Sequence, residues 1–186
     1  MSLPTVKLNE GIHVMHLFYR IDRMAWDELN PGERSGACEK LEALCSANSN
    51  ASHPLLRTYT NVGGKADLVF WLFHKDLAGL AQLHRDLEVC FPPGTIDTVY
   101  SYLSITELTE YQPTEDDLKA RAQREFKLEE GTSEYEAKLA ELAEWKADYE
   151  KFRLYPEMPD WEVMCFYPML KKRQGEDNWY VLDFDA

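Results

Sequence analysis

Cysteine pairs, long apolar runs and basic residues are all scarce in this chain of 186 residues. No segment approaches the roughly 18 consecutive apolar residues that span a bilayer, and the opening "MSLPTVKLNEG" lacks the cationic and apolar regions of a secretory signal. The expected address is therefore the cytoplasm. Only 20 Lys and Arg stand against 33 Asp and Glu, a net charge of −13. Neutralising phosphates needs a basic face, so this balance argues against nucleic acid as the main partner. The four cysteines form no C-x-x-C pair. Cys38 and Cys45 lie seven apart on an expected helix, about 10 Å along its axis and beyond disulfide reach. All four read as buried, reduced thiols. Zinc spacings, H-E-x-x-H, the Walker loop, G-x-G-x-x-G and G-x-S-x-G are absent as well. The histidines do not compensate: His13 and His16 alternate to opposite faces of an expected strand and cannot share a metal there. His53 precedes a proline in a loop, and His74 and His84 flank or sit on a helix.

What the sequence does hold is regular periodicity. "GIHVMHLFYRID" (11–22) reads as a strand, and 32–47 places Cys38, Leu41, Leu44 and Cys45 at helical spacing. Two apolar runs flank Val62-Gly63-Gly64-Lys65, which marks an antiparallel hairpin with glycines free to take positive φ. Leu77, Leu80, Leu83 and Leu87 line one face of a second helix, and "DTVYSYLSITELTEY" (97–111) closes the set as a fourth strand. The order β-α-β-β-α-β is the ferredoxin-like plan, an α+β fold over 1–111. A helical connector follows over 112–157, with Thr114 as N-cap ahead of three acids and a break at Gly131. Its acidic helices read as a solvated face. Tyr135, Leu139, Leu142, Trp145, Tyr149 and Phe152 form a stripe that should pack against something. "DWEVMCFYP" is expected to be a strand with Trp161, Val163, Cys165 and Tyr167 on one face, ended by Pro168, and Asp177-Asn178 to start a helix. Residues 158–186 thus read as the start of a second ferredoxin-like domain, its remainder supplied by another polypeptide or missing from a fragment.

One cluster opposes the acidic balance: Lys171, Lys172 and Arg173, close after Tyr167. By pattern alone Tyr167 is a core tyrosine and the cations a solubilising turn. Alternatively Arg153, Tyr167, Lys171 and Trp179 surround a flat apolar ligand fringed with carboxylates, which guanidinium and ammonium groups bind by charge-assisted hydrogen bonds. A porphyrin has that shape and chemistry.

At these residues the sequence resembles the chlorite dismutase-like family, in particular its coproheme decarboxylase branch. The resemblance is carried by "SYLSITELTEY" (101–111), "FRLYP" (152–156), "FYPMLKKR" (166–173) and "NWY" (178–180), and spans essentially the whole chain. It implies an oxidoreductase of haem biosynthesis that removes carbon dioxide from two propionates of iron coproporphyrin III, giving haem b, with hydrogen peroxide as oxidant. Tyr167 matches the family's catalytic tyrosine, which becomes a radical and takes hydrogen from the propionate. Arg153 and Lys171 match propionate-binding cations, Pro168, Met169 and Leu170 complete the segment along the porphyrin, and Trp179 matches a tryptophan near it. Leu170 departs from the small or acidic residue common at its position. No histidine here matches the iron's proximal ligand, which the resemblance places downstream of Ala186, so the chain alone is expected to be inactive. The resemblance also implies a homopentamer. Alternatives are a chlorite dismutase-type haem enzyme and a non-catalytic porphyrin-binding or structural subunit.

Overall fold

The computed structural model describes residues 7–49, 55–109, 112–170, 172–175 and 178. Strand β1 (His13–Ile21) leads through a short helix α1 (Arg23–Glu28) into α2 (Pro31–Ser49). Strands β2 (Leu56–Thr60) and β3 (Leu68–His74) form the hairpin, followed by α3 (Leu77–Cys90) and β4 (Ile96–Ile105). The sheet order is β2-β3-β1-β4, antiparallel throughout, so each helical crossover skips one strand position and both helices land on the same face. This is the ferredoxin-like α+β arrangement read from the sequence. At the hairpin Gly64 takes φ +74°, a conformation that side chains disfavour. Helix α1 was not expected. It is six residues long, started by the Asp22 carboxylate accepting from the Ala25 amide at 2.9 Å.

Strand parity sorts the sheet into two apolar faces. Leu17 and Tyr19 of β1, Leu56 of β2, and Phe70 and Leu72 of β3 pack under Leu80, Leu83, Leu87 and Cys90 of α3, with Leu41, Leu44 and Cys45 of α2 beside them. Tyr19 is buried, and burial pushes its phenol up to about 12, with the nearby Glu88 charge adding to the effect against a Thr98 hydrogen bond. Its hydroxyl meets His84 Nε2 at 2.8 Å, so His84 is a structural residue of this core. The opposite face carries Val14, Trp71 and Phe73, packed with Met158. His16 and Phe18 share the parity of Val14, and Tyr102 and Tyr100 stand opposite them on β4.

The connector forms α4 (Glu115–Arg124) and α5 (Ser133–Leu154), parted by Gly131 at φ +83°. Thr114 and Asp117 make a reciprocal capping box, as the Thr-Glu-Asp-Asp run suggested. Leu118 and Ala122 bury against Tyr135 and Leu142. The rest of the expected stripe differs: Trp145, Tyr149 and Phe152 are exposed, because α4 covers only the first half of α5. The C-terminus of α5 is tied to the sheet by Thr106 Oγ1, which donates to Leu154 O at 2.7 Å and accepts from Ile12 N at 2.8 Å. Tyr155 Oη accepts from Gly11 N at 3.2 Å.

Three readings are corrected. Strand β4 stops at Ile105, well short of Tyr111, which itself lies outside the described residues. The cysteines are not uniformly buried: Cys38 and Cys165 are exposed, and only Cys90 is fully covered. Among the described residues, the segment expected to be a strand over 160–168 joins no ladder. Phe166 lies instead over the face of the sheet, against His16, Phe18 and Tyr102. The helix expected from Asp177 onward lies outside the described residues. Among the described residues no helix is long and apolar enough to cross a membrane.

Candidate functional site

The segment that carries Tyr167 is held to the sheet at two points. Arg57, buried in β2, donates to Met158 O from Nη2 at 2.8 Å and Nε at 3.3 Å, and from Nη1 to Ser49 O at 2.7 Å. Burying a guanidinium is costly unless its donors are engaged, and backbone carbonyls of two distant segments take three such bonds here. Eight residues on, Phe166 lies over β1 and β4. Its ring stacks on His16 with centroids 4.1 Å apart and planes 26° apart, and sits 5.7 Å from both Phe18 and Tyr102. Alternation holds only over 163–167: Met164 and Phe166 are half-buried, whereas Val163, Cys165 and Tyr167 are exposed; ahead of them residues 160–163 are all exposed, around a bend at Glu162. The residues the sequence pattern put on one face, Trp161, Val163, Cys165 and Tyr167, are thus all on the outside.

Tyr167 is not a core residue, at 68% exposure, and its neighbours Met169 and Leu170 are still more open. Pro168 is exposed too. Arg153, in the last turn of α5, is exposed and donates from Nη2 to Glu107 O at 3.4 Å. Lys171 and Trp179 lie outside the described residues, as does His53.

His16 is the most perturbed titratable group here. Burial holds its imidazole near pKa 4, against the opposing pull of a hydrogen bond to the Tyr102 backbone. It is neutral at physiological pH, stacked between Phe166 and Trp71, the latter centroid 5.7 Å away. Its Nδ1 and Trp71 Nε1 are buried without hydrogen-bond partners among the described residues. Sequence reasoning missed both His16 and Arg57 as site-building residues. Alternation put His16 on a face but gave no sign of what would cover it, and a single arginine between strand residues carries no signal at all.

A porphyrin fits part of this arrangement. An uncovered apolar row beside a phenol suits the face of a flat ring, and Arg153 suits a carboxylate. Iron is less well served: His13 and His16 are buried in the sheet, His74 Nδ1 lies 2.9 Å from the Asp76 amide, and His84 faces Tyr19. No cluster of His, Cys, Asp and Glu among the described residues is arranged to hold a metal. A cavity of about 570 Å³ between the start of α2 and the end of α3, bordered by Glu33, Lys40 and Phe91, shares no residue with this site.

Comparison with known proteins bears on the same residues. Residues 34–186 match the family model described as Chlorite dismutase. Among solved structures, a haem-binding protein from Thermus thermophilus is 30% identical, with a TM-score of 0.65 over 97% of this chain and 62% of that one. The chain thus spans less than two thirds of that relative's length. A mutant chlorite dismutase from Candidatus Nitrospira defluvii is 14% identical, with a TM-score of 0.46 over 78% of this chain and 68% of that one. The enzyme from the same organism in complex with imidazole gives 15% and 0.43 over the same shares.

Proposed function

This chain belongs to the chlorite dismutase family, and from that premise we propose that it contributes the tyrosine-bearing wall of a peroxide-dependent coproheme decarboxylase. In this reading residues 158–186 open a second ferredoxin-like domain after the domain over 1–111 and the connector over 112–157, and the protein assembles as a homopentamer. The bound iron porphyrin, with hydrogen peroxide, supplies the oxidising chemistry. For each of two propionates of iron coproporphyrin III, the side chain loses carbon dioxide, one proton and two electrons to become a vinyl group. One hydrogen peroxide takes up two electrons and two protons and leaves as two waters. Haem b is the product.

The chain's own residues perform the positioning. Tyr167 presents its phenol outward, where it meets a propionate and, once it has lost an electron and a proton, takes hydrogen from the β-carbon. Arg153 and Lys171 hold carboxylates, the first by a forked pair of hydrogen bonds and the second as a point charge. Pro168, Met169 and Leu170 exclude water along the ring, with Trp179 near it. Orientation of one reacting carbon against one phenol accounts for much of the rate in such an arrangement.

The observation that carries this reading is the outward row through Tyr167 and Met169, apolar and uncovered, with the phenol at 68% exposure. Tyr167→Phe is the test. With the chain coexpressed with the segment that completes the second domain, and with iron coproporphyrin and titrated peroxide followed by mass, the substitution should leave porphyrin affinity within about threefold and abolish the vinyl formation seen without it. Undiminished turnover would remove Tyr167 from the chemistry. The Thermus relative is identified as a haem-binding protein, which favours one second reading: a porphyrin carrier, revealed by tight binding with no mass loss under peroxide. Oxygen release from chlorite would instead indicate chlorite dismutation.

A further inference from the structure

Two apolar surfaces lie uncovered among the described residues and play no part in the porphyrin reading. One is a helix face. Trp145, Tyr149 and Phe152 step by four and three along α5 and are exposed, with the Trp145 and Tyr149 rings stacked 5.8 Å apart. The Arg121 guanidinium over Trp145 still leaves half of that residue open. The other is the cavity of about 570 Å³ between the start of α2 and the end of α3. Gly32, Gly36 and Lys40 recur at every fourth residue on its α2 wall, and Val89, Phe91 and Pro92 line the opposite wall. A Cβ at Gly36 would meet nothing within 4 Å, so the packing of one copy does not call for glycine there, although glycine inside a helix costs about 0.5–1 kcal/mol relative to alanine.

The two surfaces complement each other in shape and charge. Three rings, about half exposed and roughly 150–250 Å² apiece, offer roughly 300 Å², a large part of the about 450 Å² that is apolar on one side of a standard interface. Lys40 joins no ion pair among the described residues, and Glu33, the acid of the same wall, accepts from the Asn30 amide at 2.9 Å. Beside the stripe, Glu144 and Asp148 are exposed acids that join no ion pair either. Within one copy stripe and cavity do not meet. Helix α5 packs against α4, and its end is tied to Thr106 and Gly11, near the His13–Ile105 pair of the sheet. The cavity lies by the Ile21–Ile96 pair, about 26 Å away along β1. We propose that the α5 stripe of one copy docks in the α2–α3 cavity of a second copy. Because unlike surfaces meet, the contact is heterologous: each copy offers a stripe to one neighbour and a cavity to the next, and such contacts close into a ring when the rotation allows. This docking rests on the homopentamer reading for its copy number and supplies the surfaces that reading leaves unnamed.

The experiment uses the chain coexpressed with the segment that completes the second domain, sized by native mass spectrometry and sedimentation velocity. Gly36→Trp fills the cavity and leaves the stripe, whereas Trp145→Glu spoils the stripe and leaves the cavity. Neither position is buried, and far-UV circular dichroism with thermal unfolding checks that each variant folds. Val89→Glu and Phe152→Glu repeat the two tests from second exposed positions. The unsubstituted protein should be a ring, and each variant alone a monomer, an about fivefold fall in mass. Mixed in equal amounts, Gly36→Trp and Trp145→Glu should form a heterodimer and nothing larger, because one intact stripe and one intact cavity remain between them. A ring that survives either substitution overturns the docking and leaves the homopentamer reading standing. So does a mixture that stays monomeric. A ring of another size that both substitutions break upholds the docking and overturns the copy number. An unsubstituted protein that is monomeric overturns both.

Discussion

Acid should weaken this fold through one histidine more than through any other described here. His16 titrates near 6.5 in the unfolded chain and about 4 in the folded one, because burial between Trp71 and Phe166 disfavours the charged ring. Between those values the unfolded state binds the extra proton, so stability rises with pH across the interval and is lost as pH falls from 6.5 toward 4. The full interval corresponds to roughly 3 kcal/mol, a large share of the roughly 5–15 kcal/mol typical of a folded domain. Replacing His16 with phenylalanine keeps the stack and removes the titration. At pH 7 the substitution should be nearly neutral, within about 1 kcal/mol, since it removes an unpaired buried nitrogen and also a bond to the Tyr102 backbone. At pH 4 the variant should be the more stable protein by up to roughly 3 kcal/mol. Urea unfolding at half-unit steps from pH 4 to 7, followed by tryptophan fluorescence, measures both curves. All other carboxylates and histidines titrate alike in the two proteins and cancel in the difference. A difference that stays flat across the range would refute the burial argument for His16.

Three further outcomes test the packing. Gly79→Ala should destabilise by about 1–3 kcal/mol in thermal or urea unfolding, because the added methyl group would overlap the His74 ring, which the Asp76 backbone holds in place; equal or greater stability would show that His74 moves freely. Tyr19→Phe should cost about 1–2 kcal/mol by removing the buried partner of His84 Nε2, measured as a lower urea midpoint at unchanged slope. Thr114→Ala removes one half of the capping box of α4 and should cost about 1 kcal/mol, with a small loss of helical circular dichroism.

The parts of the fold legible in the sequence were those whose signals are local. The alternation in 13–21, the leucine spacing of 77–87, the glycines between β2 and β3 and the threonine ahead of three acids each name an element and its limits. Features that depend on a neighbour were not legible. The pattern Trp161, Val163, Cys165, Tyr167 indicates extended backbone with two unlike faces, and says nothing about whether another strand lies alongside. The aromatic stripe of α5 is continuous in sequence, yet only its first half is buried against α4, and Trp145 meets that helix only through the Arg121 guanidinium over its ring. Phe166 carries no signal of its own beside the phenol that follows it. Its importance depends on His16 and Tyr102, which are 150 and 64 positions away in the chain and meet it only once the sheet has formed. Arg57 is invisible for the same reason: its partners are main-chain oxygens of Ser49 and Met158.

A sheet greasy on both sides has a consequence for how the chain is made. By the time Ile105 has left the ribosome, α2 and α3 can seal one side, while Val14, His16, Phe18, Trp71 and Phe73 still look out into the surrounding medium. Their cover arrives with Met158 and Phe166, about 60 residues later, which at some 5–20 residues per second is a wait of about 3–12 seconds. For those seconds the nascent domain is a sticky half-product, and the helical hairpin translated in between sets how long it must be kept from its neighbours.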